Sequence, residues 1–157
     1  MSLKFVIRSA TVEDAAAISA LVTASVREHI ASSLSEGGLS HLLSEMTAEN
    51  EANRIRNGYQ YFVALESDKL VGTAAIRPPC HLYYLFVDTQ QQGRGIGRQL
   101  WNYARDWIAS SINDGPITVN SSLNAIGVYE CLGFVMAGPP VEDHGVRYQP
   151  MQWTNAT

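Results

Sequence analysis

Residues 82–98 restrict what this chain can fold into more than any other stretch. Leu82-Tyr83-Tyr84-Leu85-Phe86-Val87-Asp88 is a nearly continuous apolar and aromatic run, the pattern of a strand buried on both faces. Only Thr89-Gln90-Gln91 separates it from Gln92-Gly93-Arg94-Gly95-Ile96-Gly97-Arg98, which opens the strongest amphipathic segment of the chain. Over residues 93–112, Ile96, Leu100, Ala104, Trp107, Ile108 and Ile112 recur at helical spacing on one face. A buried strand that turns through glycines straight into a helix requires helix packed on sheet in layers.

Three glycines at alternate positions let the main chain turn tightly and come close to a ligand. The first N–H groups of a helix have no intrahelical partner, and with the helix dipole they favour an anion, typically a phosphate. Arg94 and Arg98 add positive charge in a chain with 11 Lys and Arg against 15 Asp and Glu, a formal net charge of -4. The loop lacks the Gly-Lys-Ser/Thr of a P-loop. Its Gly-x-Gly-x-Gly spacing also departs from the Gly-x-Gly-x-x-Gly of a dinucleotide-binding turn. Beside the phosphate reading stands a plainer one, a tight strand-to-helix turn with no ligand.

The rest of the chain alternates strand and helix, without repeats or a Gly/Ser/Pro-rich linker. Residues 5–8 read as a strand, and Thr11 with Asp14 as a variant capping box for a helix over 12–30. Helical pieces follow at 39–45 and 47–56, with Thr47 as a start signal. Strands at 59–66 and 69–77 flank the Ser67-Asp68 turn as a hairpin, and Pro78-Pro79 interrupts pairing before the buried strand. A short strand at 117–120 leads to a helix over 123–132, with Ser121 or Ser122 as its cap and Gly133 at its end. Strands at 134–137 and 146–153 finish the sheet, with Gly138-Pro139-Pro140 and Asp143-His144-Gly145 as loops.

The 157 residues are a length typical of one domain, expected to span 1–157, and the 46% hydrophobic content is ordinary for a globular chain. The negative balance argues against nucleic acid as a partner. No apolar run approaches the ~20 residues that span a bilayer, and Met1-Ser2-Leu3-Lys4 lacks the apolar core of a signal peptide. The expectation is a cytoplasmic protein without a membrane partner. Cys80 and Cys131 are too few for a disulfide scaffold and fit reduced thiols. His29, His41, His81 and His144 show no ligand spacing, so no metal is expected.

A second segment stands about thirty residues after the glycine loop. Gln92-Gly93-Arg94-Gly95-Ile96-Gly97 matches the Gln/Arg-x-x-Gly-x-Gly/Ala signature of the GNAT acetyltransferases. Asn120-Ser121-Ser122-Leu123-Asn124-Ala125-Ile126-Gly127-Val128-Tyr129-Glu130-Cys131-Leu132-Gly133-Phe134 resembles that family's Asn-x-x-Ala…Tyr-Glu-x-x-Gly-Phe segment. The element order over about 4–154 agrees with the family, while the specific motifs occupy 82–98 and 119–134. The resemblance implies a mixed α/β GNAT fold: a central, mostly antiparallel seven-stranded twisted sheet, strands four and five splayed apart, and about four flanking helices. It implies acetyl-CoA as co-substrate, with the loop amides of Gln92, Gly93, Arg94, Gly95, Ile96, Gly97 and Arg98 on its pyrophosphate. The backbone of Leu85, Phe86 and Val87 would pair with the pantetheine, and Asn124, with Asn120 nearby, would bind the coenzyme's arm.

The family reaction transfers acetyl directly from the thioester to an amine, which must be neutral to attack. The resemblance places Tyr129 on the tyrosine that protonates the departing thiolate, a task suited to a phenol that stays neutral at pH 7. Each residue has a plainer role open to it. Tyr129 packs a helix on the sheet equally well, and Asn124 suits a helix start without a ligand. His81 and Tyr84 are the candidate bases, since both lie at the buried strand and His81 has the best unperturbed pKa. Alternation puts Tyr83 and Tyr84 on opposite faces, so that only one faces the acceptor. Glu28, His29, His144 or a water chain are further candidates, and Cys80 is a second candidate nucleophile. The acceptor is expected to be a small-molecule or peptide amine. Many relatives dimerise through the C-terminal strands, and Val146, Met151 and Trp153 permit either a homodimer or core packing. The alternative to an enzyme is a non-catalytic acyl-CoA-binding or sensing module on the same fold.

Overall fold

The computed structural model describes residues 5–111 and 115–154. Strand β1 (Val6–Ser9) is followed by α1 (Ala15–Ser25), α2 (Glu36–Ser44) and α3 (Ala48–Arg56). Then come β2 (Gln60–Glu66), β3 (Lys69–Arg77), β4 (His81–Val87) and α4 (Ile96–Ser110). The chain ends with β5 (Ile117–Ser122), α5 (Ile126–Cys131), β6 (Val135–Met136), β7 (Val141–Asp143) and β8 (Val146–Trp153).

Among the described residues the eight strands form one sheet in the order β1-β2-β3-β4-β5-β8-β6, with β7 also on β8. All pairs are antiparallel except β4–β5. The sheet has one strand more than expected, because β7 pairs with β8 from Val141↔Tyr148 to Asp143↔Val146. The connecting His144-Gly145 has φ of 52° and 80°, the paired positive values of a tight two-residue hairpin turn.

Alternation along the strands supplies two cores. Phe62, Ala64, Val71, Ala74 and Ile76 face α4, whose Ile96, Leu100, Trp101, Ala104 and Ile108 are buried against them. Tyr61, Val63, Ala75 and Tyr84 face the other way, onto Ile18, Val22 and Val26 of the first helical region and Met46. Trp107 is only partly buried, and Ile112 lies outside the described residues. Burying a Leu- or Ile-sized side chain stabilises the fold by about 1.5–3 kcal/mol each, so these two layers hold the sheet in place.

The first helical region changes type along its length. Val12–Asp14 is a 3-10 turn, Ala15–Ser25 is α, and Val26–Ile30 widens to a π-turn before Ala31–Ser33 tightens again. Asp14 accepts from the Thr11 N–H at 2.8 Å and from Arg8 at 2.9 and 3.0 Å, which fixes the start. Thr47 caps α3 as expected, accepting from the Asn50 N–H, and Ser35 caps α2 at Gly38. Ser121 and Ser122 do not cap α5. Both belong to β5, paired with Gln149 and Tyr148, because the strand runs two residues further than its apolar run suggests.

Met151 and Trp153 belong to the core: Met151 is buried, and Trp153 packs edge-on against Trp101 with ring centroids 5.5 Å apart. The exposed apolar residues of the last strands are instead Val135, Met136 and Val141. Among the described residues no helix is long and apolar enough to cross a membrane.

Candidate functional site

Strands β4 and β5 pair only at His81↔Thr118 and Leu82↔Val119. Beyond Leu82 they part, and the β4 edge from Tyr83 to Val87 faces a cleft without a strand partner on that side. The cleft holds about 780 Å³, the scale of a site for a sizeable small molecule. Leu85, Phe86 and Val87 line it, as do Asn120, Asn124 and Tyr129 from the opposite lip.

At the widening end of β4 the chain makes a short 3-10 turn, Thr89–Gln91, capped by the Asp88 carboxylate on the Gln90 N–H at 3.0 Å. Gly95 then takes φ 82°, which a side chain would disfavour, and starts α4. Gln99 is the first residue of the helix whose N–H finds a carbonyl, that of Gly95 at 3.1 Å. The amides just before it have no intrachain acceptor among the described residues, and Gly93, Gly95, Ile96, Gly97 and Arg98 line the cleft. Free amides at a helix N-terminus favour an anion.

Arg94 and Arg98 do not share a fate. The Arg94 guanidinium grips Glu66 through two hydrogen bonds of 2.7 and 3.1 Å and also donates to Gln91, so its side chain lies off the cleft lining. Arg98 does line the cleft, with a single 3.3 Å hydrogen bond to the Cys131 carbonyl. Gln92 reaches back to the Val87 carbonyl at 3.5 Å.

Tyr129 is nearly buried, packed edge-on against Phe134. No hydrogen bond holds its hydroxyl, yet no buried side-chain polar atom lacks a partner among the described residues, so that hydroxyl opens into the cleft. Burial pushes the phenol up to about 12.

The candidate bases are placed differently from the sequence reading. His81 sits at the paired end of β4 and β5, its Nδ1 2.8 Å from the Thr118 hydroxyl, and is not among the residues lining the cleft. Burial, with the nearby Arg77 charge, brings its pKa down to about 4. The Tyr84 hydroxyl donates to the fully buried Glu51 carboxylate at 3.0 Å, and burial followed by the Glu51 charge raises its pKa strongly. A phenol that holds its proton this firmly cannot serve as a base at neutral pH. Cys80 packs against the α4-side core and does not line the cleft.

Tyr83 and Tyr84 do not fall on opposite faces. The β3–β4 register runs Ala75↔Tyr84 and then Ile76↔Leu82, so Tyr83 is an extra residue in β4. The bulge turns both rings toward the α3 side, with centroids 4.7 Å apart. Beneath them Glu51 accepts from Tyr61 at 2.6 Å, Tyr84 at 3.0 Å and Arg54 at 2.8 Å, while the Arg54 guanidinium lies 5.1 Å from the Tyr83 ring centroid. Spacing along the chain does not mark Glu51, since Tyr61 and Tyr84 stand on two strands and only Arg54 shares its helix. The polar pair Glu51 and Arg54, three residues apart on α3, was the available signal.

The π-turn crosses the wide end of the cleft. The Asn124 side chain donates to the His29 carbonyl at 2.7 Å, and the His29 ring contacts the Thr89 hydroxyl at 3.1 Å, which itself donates to Glu28 at 2.9 Å. Such π-turns recur at functional sites. Among the described residues no group of three or more His, Cys, Asp or Glu side chains gathers as a metal site would need.

Comparison with known proteins agrees with this geometry. An acetyltransferase (GNAT) domain model matches residues 30–155. No curated protein matches the chain significantly. Among solved structures, a GCN5-related N-acetyltransferase from Rhodopseudomonas palustris superposes with TM-score 0.85 at 22% identity, over 99% of each chain. The PaiA N-acetyltransferase of Thermoplasma acidophilum, solved in complex with coenzyme A, gives TM-score 0.79 at 17% identity, over 97% of this chain and 99% of that one. YjaB from Escherichia coli gives 0.76 at 22% identity, over 98% and 99%. At these identities the likeness shows the fold, and the domain match shows the kinship: the chain belongs to the GNAT acetyltransferase family.

Proposed function

We propose that residues 1–157 form one acetyltransferase domain that moves the acetyl group of acetyl-CoA to a primary amine by direct attack. The observation that carries this reading is the unpaired run of amides at the start of α4, opening onto the same cleft as the free edge of β4. A diphosphate suits the amides, with Arg98 beside them, and an extended amide-containing arm suits the strand edge. The PaiA neighbour, solved with coenzyme A, supports the choice of ligand.

In the reaction the amine nitrogen bonds to the thioester carbonyl carbon, and the carbon–sulfur bond then breaks. The backbone N–H groups of β4 near the bulge stabilise the oxyanion. Tyr129 gives its proton to the leaving thiolate, and its raised pKa keeps that proton in place at neutral pH. With His81 off the cleft and Tyr84 bound to Glu51, the ammonium proton passes to cleft water or to His29, which lines the cleft, and a proton returns from water to the Tyr129 phenolate. The open Tyr129 hydroxyl favours an enzyme over a silent coenzyme-binding module. The same reading makes the protein a cytoplasmic enzyme, and the exposed Val135, Met136 and Val141 suit a homodimer.

Isothermal calorimetry with acetyl-CoA, followed by thiol release against an amine panel, tests the proposal. Micromolar binding and amine-dependent CoA release are expected. Absence of acetyl-CoA binding to the folded protein would sink the reading.

A further inference from the structure

We infer that the acceptor is a slim small-molecule amine, and that peptide and protein amines are kept out by a bridge between α2 and the β7–β8 hairpin. The inference rests on the acetyltransferase reading. If the α4 loop, the β4 edge and α5 take the coenzyme, the remaining walls of the cleft belong to the acceptor. Those walls come from the first helical region, from His41 and Leu42 of α2 with Glu45 just past its end, and from Asp143, Val146 and Arg147 of the hairpin.

The two elements are joined, not merely adjacent. The His41 and His144 rings stack with centroids 4.3 Å apart and planes within 9°. Each ring is held from its own element, His41 by Glu45 at 2.7 Å and His144 by Asp143 at 2.8 Å. Nearby the backbones touch: a Cβ on Gly38 would stand 2.3 Å from the Gly145 carbonyl oxygen, and one on Gly145 would stand 2.8 Å from the Ser35 hydroxyl. Only glycine at both positions permits this approach, and Gly145 also takes φ 80°.

A peptide lysine or N-terminus carries flanking main chain that needs an open trough beside the reacting amine. Here α2 and the hairpin meet where that chain would run. A small amine passes under the bridge, with apolar contacts from Leu42 and Met46 and the Tyr83 ring. Charge at this side is mixed, Glu45 and Asp143 with Arg77 and Arg147, so size and shape do the selecting.

Gly38→Ala tests the bridge. The added methyl meets main-chain atoms of Gly145, which cannot swing aside, while alanine favours α2 itself, so the two elements must part. His144→Ala removes the ring stack from an exposed residue and serves where Gly38→Ala folds poorly. Acetyl-CoA affinity is measured first, then kcat/KM for a short aliphatic amine and for a lysine-centred nonapeptide. The full-length wild type is expected to favour the small amine by at least about tenfold, and each variant to shrink that preference to about threefold or less, with acetyl-CoA affinity within about twofold. Hydrogen exchange at residues 141–148 should quicken in Gly38→Ala. Equal use of the peptide by the wild type, or a preference unchanged in both variants, overturns the inference and leaves the acetyltransferase reading standing. Loss of acetyl-CoA binding by the wild type overturns both.

Discussion

The side-chain amide of Asn124 donates to the main-chain carbonyl of His29 across 2.7 Å, tying the start of α5 to the π-turn that ends α1. With the His29 ring on Thr89, one residue touches both lips of the opening between β4 and β5. Under the proposed function the coenzyme arm runs through that opening, so Asn124 exchanges the His29 carbonyl for a group of the coenzyme.

Asn124→Ala therefore removes a contact from the bound state as well as from the free one. A hydrogen bond of this kind is worth about 1 kcal/mol net and one is lost on each side of the equilibrium, so the losses largely offset and acetyl-CoA affinity should change by about twofold or less. Asn124 is exposed, so the melting temperature should move little. Calorimetric titration of the variant measures the first and scanning calorimetry the second.

Tyr129→Phe keeps the packing on Phe134 and deletes the proton donor. The expected result is a fall in kcat of about 10²-fold or more, with acetyl-CoA affinity nearly unchanged. Because burial pushes the phenol to about 12, ionisation of Tyr129 should not depress the wild-type rate below about pH 11. A pH–rate profile that falls near pH 10 and becomes flat in Tyr129→Phe would contradict this.

His81 predicts how stability responds to acid. Its folded pKa is depressed to about 4 from the model-peptide value of 6.5, chiefly by burial. The folded state thus binds fewer protons than the unfolded chain between these values. The stabilisation is complete above about pH 6.5 and is lost progressively as pH falls toward 4, on the order of 2 kcal/mol after allowing for partial exposure. Urea titrations from pH 7 to 4 should show this slope, and His81→Gln should flatten it.

Glu51→Ala should be severely destabilising. The carboxylate is fully buried and accepts from Tyr61, Tyr84 and Arg54, so its loss strands a partly buried guanidinium and two phenols. Breaking a buried pair from one side costs about 3–5 kcal/mol. Glu51→Gln retains an acceptor and should cost less. Chemical denaturation of the two variants checks the order.

What could be read before the structure was local. The buried strand, the alternate glycines, the amphipathic helix and the Tyr129–Phe134 segment each lie within a few residues of chain, and backbone sterics and hydrophobic period act at that range. The cleft-lining residues Leu85, Phe86, Val87, Asn120, Asn124 and Tyr129 follow from the resemblance that these local motifs carry, and Gln92 and Gly97 from the glycine loop itself. Spacing does not reveal that the Arg94 side chain is held by Glu66, 28 residues away, nor that alternation fails at the bulge that puts Tyr83 and Tyr84 on one side.

By itself, then, the order of residues determined the element types, the glycine turn that exposes the α4 amides, and the kinship with the acetyltransferases. Only the tertiary structure decided which titratable groups remain free. The Glu51 network, the burial of His81, the α2–hairpin contact and the Asn124–His29 bond all join residues brought together by sheet pairing and helix packing. The energy of such contacts depends on distance in space and on exclusion of water, neither of which is written in the spacing along the chain.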